Sequence, residues 1–393
     1  MHITEPADLR PFEKDLVVES FELFPAQPRW LFLKITTRGG LIGWGEPIVE
    51  GRAATVAAAV KEMMPYVIGR PANRIEDVWQ VLYRGGFYRG GPILMSALSG
   101  IDQALWDIKG KALNVPIYEL LGGPVRRSIQ AYCWIGGDRP ADVADAARER
   151  INQGFRAVKM NASGEMAWID TGNKLAEVEE RLAAVRDAVG PDVGIGLDFH
   201  GRLHKGAAKT VVRALETSRP MFVEEPVPPG NEDFLPVLRD YTNIPIAFGE
   251  RLYSRWDFKH VLPAVDIIQP DPSHAGGISE VRRIATMAEA YDVALAPHCP
   301  LGPVALAACL HIDFASINAF IQESSLGIHY NEGADLLDYV RNPEIFRLDE
   351  GSFSLPQTPG LGVDINEERL REQSPPDWKN PIWRNEDGSM AEW

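Results

Sequence analysis

The chain has 393 residues, 45% hydrophobic and 24% charged, a balance typical of globular proteins and a length suited to a large barrel with an added module. A formal charge of -15 argues against nucleic acid and anionic membrane surfaces as partners, since both demand a basic face. No apolar run reaches the roughly 18 residues of a membrane span, the start MHITEPADLRPFEKD lacks a signal-like apolar stretch, and Cys133, Cys299 and Cys309 form no CxxC pair; a cytoplasmic protein with buried reduced thiols is expected.

The first stretches read as a meander. VVESFELF (17–24), RWLFLKITT (29–37) and LIGWGEP (41–47) carry β-formers between Pro- and Gly-rich turns. Helical periodicity follows in AATVAAAVKEMMPYVIG (53–69) and ILMSALSGIDQALWDIKGKAL (93–113), and LLGGPVRR (120–127) supplies turn residues. Residues 1–127 are therefore expected to form an α+β module.

From residue 128 short apolar strands alternate with longer helical stretches. The strands are SIQAYCWI (128–135), FRAVKMN (155–161), VGIGLDF (193–199), MFVEEP (221–226), IPIAFGE (244–250), VDIIQPD (265–271), VALAPH (293–298) and AFIQE (319–323). KLAEVEERLAAVRDAVG (174–190) and ISEVRRIATMAEAYD (278–292) are helices between them. Eight strands separated by helices, with no clear helix after the last, predict a modified TIM-type (β/α)7β barrel over residues 128–325. Residues 326–393, rich in Pro, Asn and Trp toward their end, are expected to pack back on the N-terminal module.

The strand endings repeat a chemistry. Asp198, Glu224 and Glu250 each close a strand, and each interval is 26 residues, about the length of one βα unit. Asp271, His298 and Glu323 close the next three. All strands of such a barrel end at one face, where active sites are built. A single strand-end acid is most simply a helix cap or a solvated residue. A consecutive series is not, because so many carboxylates in one mouth repel unless a cation lies among them. Three carboxylates without cysteine suit a hard, oxygen-preferring ion such as Mg²⁺. Asp198, Glu224 and Glu250 are assigned to it, with Glu225 distinguished from Glu224 only by the even spacing.

Around that ion lie His200, His298 and Lys159, with Asp271 in place to accept a hydrogen bond from His298, fix its tautomer and raise its basicity. HGRLH (200–204) lacks the Glu of HExxH and sits at a strand end, so a zinc protease is rejected. His2, His204, His260, His274, His311 and His329 read as surface or core residues without chemistry.

ALSGIDQALWDIKGK (97–111), LLGG (120–123) and the strand-end Asp, Glu and Glu together resemble the mandelate-racemase branch of the enolase superfamily over nearly the whole chain. EGRA (50–53), GFYRGGPILMSA (86–97), GGDRPADV (136–143), GLDFHGR (196–202), EEPV (224–227), GER (249–251), QPDPSHAGGI (269–278), APHCPLGP (296–303), GIHYN (327–331) and PDWKNPIWR (376–384) are similar to its sugar-acid dehydratases. The resemblance implies an N-terminal capping domain over the barrel mouth, completed by the C-terminal segment, and a homo-oligomer. It makes Asp198, Glu224 and Glu250 the Mg²⁺ ligands, which selects Glu224 over Glu225. It also makes His298 the base, Asp271 its partner, His200 the acid and Glu323 a contact near the substrate carboxylate.

Racemases of the branch carry Lys-x-Lys on the second barrel strand, whereas this chain has Lys159-Met160-Asn161. One potential base is missing, which favours dehydration over racemisation. The polar extension to about residue 14 and NASGEMAWIDTGNK (161–174) also depart from the pattern without removing a catalytic residue. A small-molecule sugar acid is the expected substrate, touched by Lys159, Asn161 and Glu323 and, at its distal hydroxyls, by Arg29 and Glu50 from the capping loops. A dehydratase for another sugar acid, a racemase or epimerase, and a catalytically silent metal-binding scaffold are the alternatives.

Overall fold

The computed structural model describes residues 9–137 and 143–393; His2 and positions 138–142 of the GGDRPADV motif lie outside the described residues. Strands β1 (Val18–Ala26), β2 (Trp30–Thr37) and β3 (Ile42–Gly45) form an antiparallel meander, as their β-branched and aromatic content predicts. Helices α1 (Ala53–Met63), α2 (Ile75–Arg84), α3 (Pro92–Leu113) and α4 (Ile117–Leu120) follow. The helical pattern read over 53–69 ends sooner because Pro65 terminates it in a single 3-10 turn, Met64–Tyr66.

Glycine sets the closeness of this module. A methyl group at Gly43 would come within 2.1 Å of the Ala104 carbonyl oxygen, and one at Gly45 within 1.9 Å of that of Gly100. Strand β3 therefore lies directly on the backbone of α3, an approach that any side chain would block.

The second unit is a barrel. Strands β4 (Ser128–Ile135), β5 (Ala157–Asn161), β6 (Gly194–Asp198), β7 (Phe222–Glu224), β8 (Ile246–Phe248), β9 (Ile267–Ile268), β10 (Ala294–Leu295) and β11 (Ile321–Ser324) run parallel in the order β10-β9-β8-β7-β6-β5-β4-β11. A parallel bridge from Leu295 to Ala319 joins the two ends. Between successive strands run α5 (Val143–Asn152), α6 (Gly172–Val189), α7 (Lys205–Leu215), α8 (Leu235–Arg239), α9 (Arg255–Val261), α10 (Gly277–Glu289) and α11 (Pro303–Ala315). No helix follows β11 directly, so the (β/α)7β expectation holds.

Alternation along the strands fills the interior. Tyr132, Ala157, Phe222, Ala247, Ile267, Ala296 and Ile321 form one inner cluster, with the Tyr132 and Phe222 rings edge-on at 6.1 Å. Gly196 makes room for Phe222, whose ring a Cβ there would meet at 2.5 Å. Two positions beyond Ala157, Gly196 and Phe222 the alternation brings buried polar residues inward at the next level: Lys159, Asp198 and Glu224.

The C-terminal segment touches both units. Strand β12 (Ser352–Ser354) pairs antiparallel with β4, and Tyr339 packs against Trp30 and Phe32 at 5.7 Å from each ring. Helix α12 (Glu367–Arg371) brings Glu367 to Lys34 at 2.8 Å. No helix among the described residues is long and apolar enough to cross a membrane, and all three cysteines are buried and unpaired.

Replacing Gly45 by Ala forces β3 off α3, where backbone on both sides leaves little room to adjust. A loss of about 1–3 kcal/mol is expected, read as a lower denaturant midpoint with an unchanged slope.

Candidate active site

Strand register brings the first carboxylates together. Asp198 pairs with Glu224 across β6 and β7, and Asn161 pairs with Asp198 across β5 and β6. Glu224 itself lies opposite Ala247, so Glu250 is not the equivalent strand position despite the equal interval. It sits beyond the end of β8, reached through Gly249 at φ 133°, a conformation that favours glycine. Asp271 and His298 likewise lie in the loops after β9 and β10, while Glu323 is within β11. The carboxylate oxygens of Asp198, Glu224 and Glu250 can all lie within 4.8 Å of one another.

Their surroundings suit a cation. Lys159, fully buried, places its Nζ 2.7 Å from Glu224, 2.8 Å from Glu323 and 3.7 Å from Asp198. Gln269 donates to the other Glu224 oxygen at 2.6 Å. Burial, together with the negative charges of Asp198 and Glu250, pushes the Glu224 carboxyl well above its ordinary range despite Lys159. Burial acts the same way on Asp198 and Glu323, but His200 and Lys159 outweigh it at Asp198, and Lys159 and His298 outweigh it at Glu323, holding both below that range. Asp198 Oδ2 and Glu250 Oε2 are buried and accept no hydrogen bond of good geometry from the described residues. An all-oxygen set with such oxygens and a single nearby ammonium fits a hard metal ion.

Glu225, the rival of Glu224, turns elsewhere. Its φ is 41°, and its carboxylate accepts from the Gly249 amide at 3.0 Å and pairs with Arg251. It braces the loop that carries Glu250.

Beside the carboxylates stand the histidines. His298 Nδ1 lies 2.9 Å from Asp271 Oδ2; with the carboxylate accepting, Nδ1 is the donor and Nε2 is the nitrogen turned away from Asp271. That Nε2 is 3.3 Å from Glu250. Burial disfavours the charged imidazolium, but Glu250, the Asp271 hydrogen bond and Glu323 together raise its pKa well above the ordinary value. His200, at φ 47°, donates its amide to Asp198 at 2.8 Å and holds Nε2 3.1 Å from the same carboxylate.

A cavity of about 270 Å³ opens over these groups, lined by His200, Glu250, His274 and His298 from the barrel, by Arg29 and Glu50 from the N-terminal module, and by Tyr330, Trp378 and Trp393 from the C-terminal segment. Arg29 lies over the Tyr330 ring at 3.9 Å. Glu46, also from the N-terminal module, accepts from the Gly302 and Ala305 amides at 2.7 and 3.0 Å, capping α11 just after His298. Gln103 of α3 reaches Pro272 and Ser273 at 3.1 Å, beside Asp271. The N-terminal module thus grips both loops that carry the His298–Asp271 pair.

Residues 22–122 match the N-terminal domain of mandelate racemase and muconate lactonizing enzyme, and residues 142–369 match the enolase C-terminal domain-like family. The chain belongs to the mandelate racemase and muconate lactonizing enzyme family of the enolase superfamily. It is 57% identical over 370 residues to the D-galactonate dehydratase of Pectobacterium atrosepticum, covering 93% of this chain and 97% of that protein. A solved enolase from Agrobacterium radiobacter, described as a candidate galactarate dehydratase with sodium and L-malate bound, superposes with a TM-score of 0.88 at 31% identity, over 96% of this chain and 100% of that one. A candidate dehydratase from Mesorhizobium loti gives 0.84 at 31% identity, over 91% and 98%.

Within this family fold, most of the expected residues converge and some do not. Arg29 and Glu50 line the cavity, and Lys159 and Glu323 lie beneath it among the carboxylates. Asn161, expected to touch substrate, engages both ends of its amide with protein: Nδ2 donates to the Gly137 carbonyl at 3.2 Å and Oδ1 accepts from Arg202 at 2.8 Å. These bonds tie the end of β5 to Gly137 and Arg202.

His274, set aside as a bland histidine, faces the cavity with Nδ1 3.6 Å from Asp271 and Nε2 3.3 Å from Glu50. Burial lowers its pKa, but Asp271 and Glu50 outweigh it and raise the balance. The available signal was its position three residues after Asp271 in the turn, where the Ser273 amide closes on Asp271 at 2.6 Å. His311, by contrast, is a core residue stacked on Tyr118, its pKa pushed down to about 4 by burial.

Divalent cations should raise the midpoint of thermal unfolding. Mass action gives about 2.7 kcal/mol at a concentration of roughly 100 Kd. Glu224→Gln should lose most of that cation-induced increment, whatever its effect on the metal-free protein.

Proposed function

We propose that this chain is a D-galactonate dehydratase, a hydro-lyase that converts D-galactonate into 2-dehydro-3-deoxy-D-galactonate and water with Mg²⁺ as its metal. The observation that carries the reaction class is one cavity in which His298, backed by Asp271, and His200 both border a cluster of metal-type carboxylates. The relative from Pectobacterium atrosepticum supports the choice of substrate.

A proton next to a carboxylate is very weakly acidic, because its loss puts a second negative charge on that carboxylate. Asp198, Glu224 and Glu250 would hold Mg²⁺, which when bound would supply charge stabilisation for that dianion, as enolase-superfamily sites pair a Lys or His base with Mg²⁺. His298 Nε2 takes the C2 proton, and Asp271 keeps the ring in the tautomer that makes this possible. His200 gives a proton to the C3 hydroxyl, which leaves as water as the C3–O bond breaks. The resulting enol takes a proton at C3, loses the proton of its C2 hydroxyl, and so becomes the 2-keto acid.

Lys159 and Glu323 fix the carboxylate end of the substrate, and Arg29, Glu50 and their loops face its distal hydroxyls. Racemisation needs a second base on the other face. Here Lys159 is engaged by Glu224 and Glu323, and position 161 carries an amide. The same reading makes the enzyme a cytoplasmic homo-oligomer, in keeping with the family resemblance.

Product formation from D-galactonate and C2 hydrogen exchange in D2O test this assignment together. His298→Asn should abolish exchange and lower turnover by about 10²- to 10⁴-fold, the worth of a positioned base. His200→Asn should keep C2 exchange in recovered substrate while losing product. Retained exchange in His298→Asn contradicts the base assignment.

A further inference from the structure

We infer that Trp393 is a positioning residue for His200, held there by Arg202, and that it governs how efficiently C2 proton removal is followed by loss of the C3 hydroxyl; this rests on the dehydration reading above.

The His200 ring lies between two indoles. Trp134 is 5.6 Å from it at 39°, and Trp393 is 4.9 Å from it at 54°. Trp134 comes from β4, whereas Trp393 comes from the C-terminal segment and lines the cavity beside His200. The backbone of His200 is left-handed at φ 47°, a region that non-glycine residues occupy when their surroundings over-determine it. Among the described residues its ring is tied to Asp198 through Nε2 while Nδ1 has no hydrogen-bond partner, so packing against the two indoles helps to limit its rotation.

Trp393 is itself anchored two residues from His200. Arg202 Nε donates to the Trp393 main-chain oxygen at 2.6 Å, and Arg202 Nη1 donates to Asn161 Oδ1 and the Ser163 carbonyl, each at 2.8 Å. The Arg202 side chain is fully buried. A buried guanidinium is costly unless such bonds satisfy it, and when satisfied in this way it locks its partners in one geometry. The end of β5, the turn carrying His200 and the segment carrying Trp393 are thereby one unit. Asn161 finds its role here, as an acceptor that orients Arg202. His298 is held by a separate set, Asp271 and Glu250.

A shift of about 1 Å in a positioned group costs on the order of 10²-fold in rate. Loss of the indole gives the His200 ring that freedom and lets water reach it. The effect should fall on dehydration and leave C2 proton removal by His298 largely intact, a split that a merely structural residue would not produce.

The test uses the full chain loaded with Mg²⁺, with D-galactonate in D2O, followed by NMR for C2 exchange in recovered substrate and for the 2-keto product. Trp393→Ala should lose about 10²-fold in product formation while exchange changes only a few-fold, and Trp393→Phe should recover most of the dehydration. The cation-induced thermal shift of Trp393→Ala should match wild type, which separates misfolding from mispositioning. If wild type neither exchanges nor dehydrates, the dehydration reading fails and this inference with it. If wild type dehydrates and the two rates of Trp393→Ala fall in parallel, or neither falls, the inference alone is overturned.

Discussion

The mutual repulsion of buried carboxylates is the constraint around which this molecule is organised. Asp198, Glu224 and Glu323 are fully buried, Glu250 is partly so, and one ammonium, Lys159, stands among them. Two like charges about 4 Å apart repel by roughly 4 kcal/mol at the effective dielectric of a protein. One lysine does not balance that many. The arrangement stores a demand for positive charge at the place where a reacting carboxylate gains negative charge, so binding the cation and stabilising the reaction use the same field.

The rest of the fold serves to keep that field dry and aimed. Inner rings and glycines close the barrel below the carboxylates, and the N-terminal module and C-terminal segment wall the cavity above them. Glu46 and Gln103 tie the N-terminal module to the loops of His298 and Asp271, while Arg202 ties the C-terminal segment to the turn of His200. The two histidines are therefore each set by a different part of the chain lying outside the barrel strands. Both histidines nonetheless touch the metal-type carboxylates, His200 at Asp198 and His298 at Glu250, so their positions and those of the carboxylates are linked.

Much of this was legible in the sequence because strands have a period of two and parallel barrels expose one end. Once Ala157 to Asn161, Gly194 to Asp198 and Phe222 to Glu224 are read as alternating strands, their last inward residues must meet. The equal 26-residue intervals pointed to Glu250 for an incomplete reason: it reaches the cluster from a loop, two residues past its strand, through a glycine turn. The less legible parts are those fixed by long-range contact. Trp393 has no local pattern that distinguishes a cavity residue from an ordinary one, His274 has only its place three residues after Asp271, and the hydrogen bond from Arg202 to Asn161 has no sequence signal at all. Helix α11 is buried on every side and so shows no amphipathic stripe.

The most direct test of the central claim is to follow D-galactonate by NMR in D2O with protein stripped of metal and with the same sample reloaded with Mg²⁺. The 2-keto-3-deoxy product, carrying solvent deuterium at C3, should form only in the reloaded sample. Product formed at an equal rate by the stripped protein would contradict that claim.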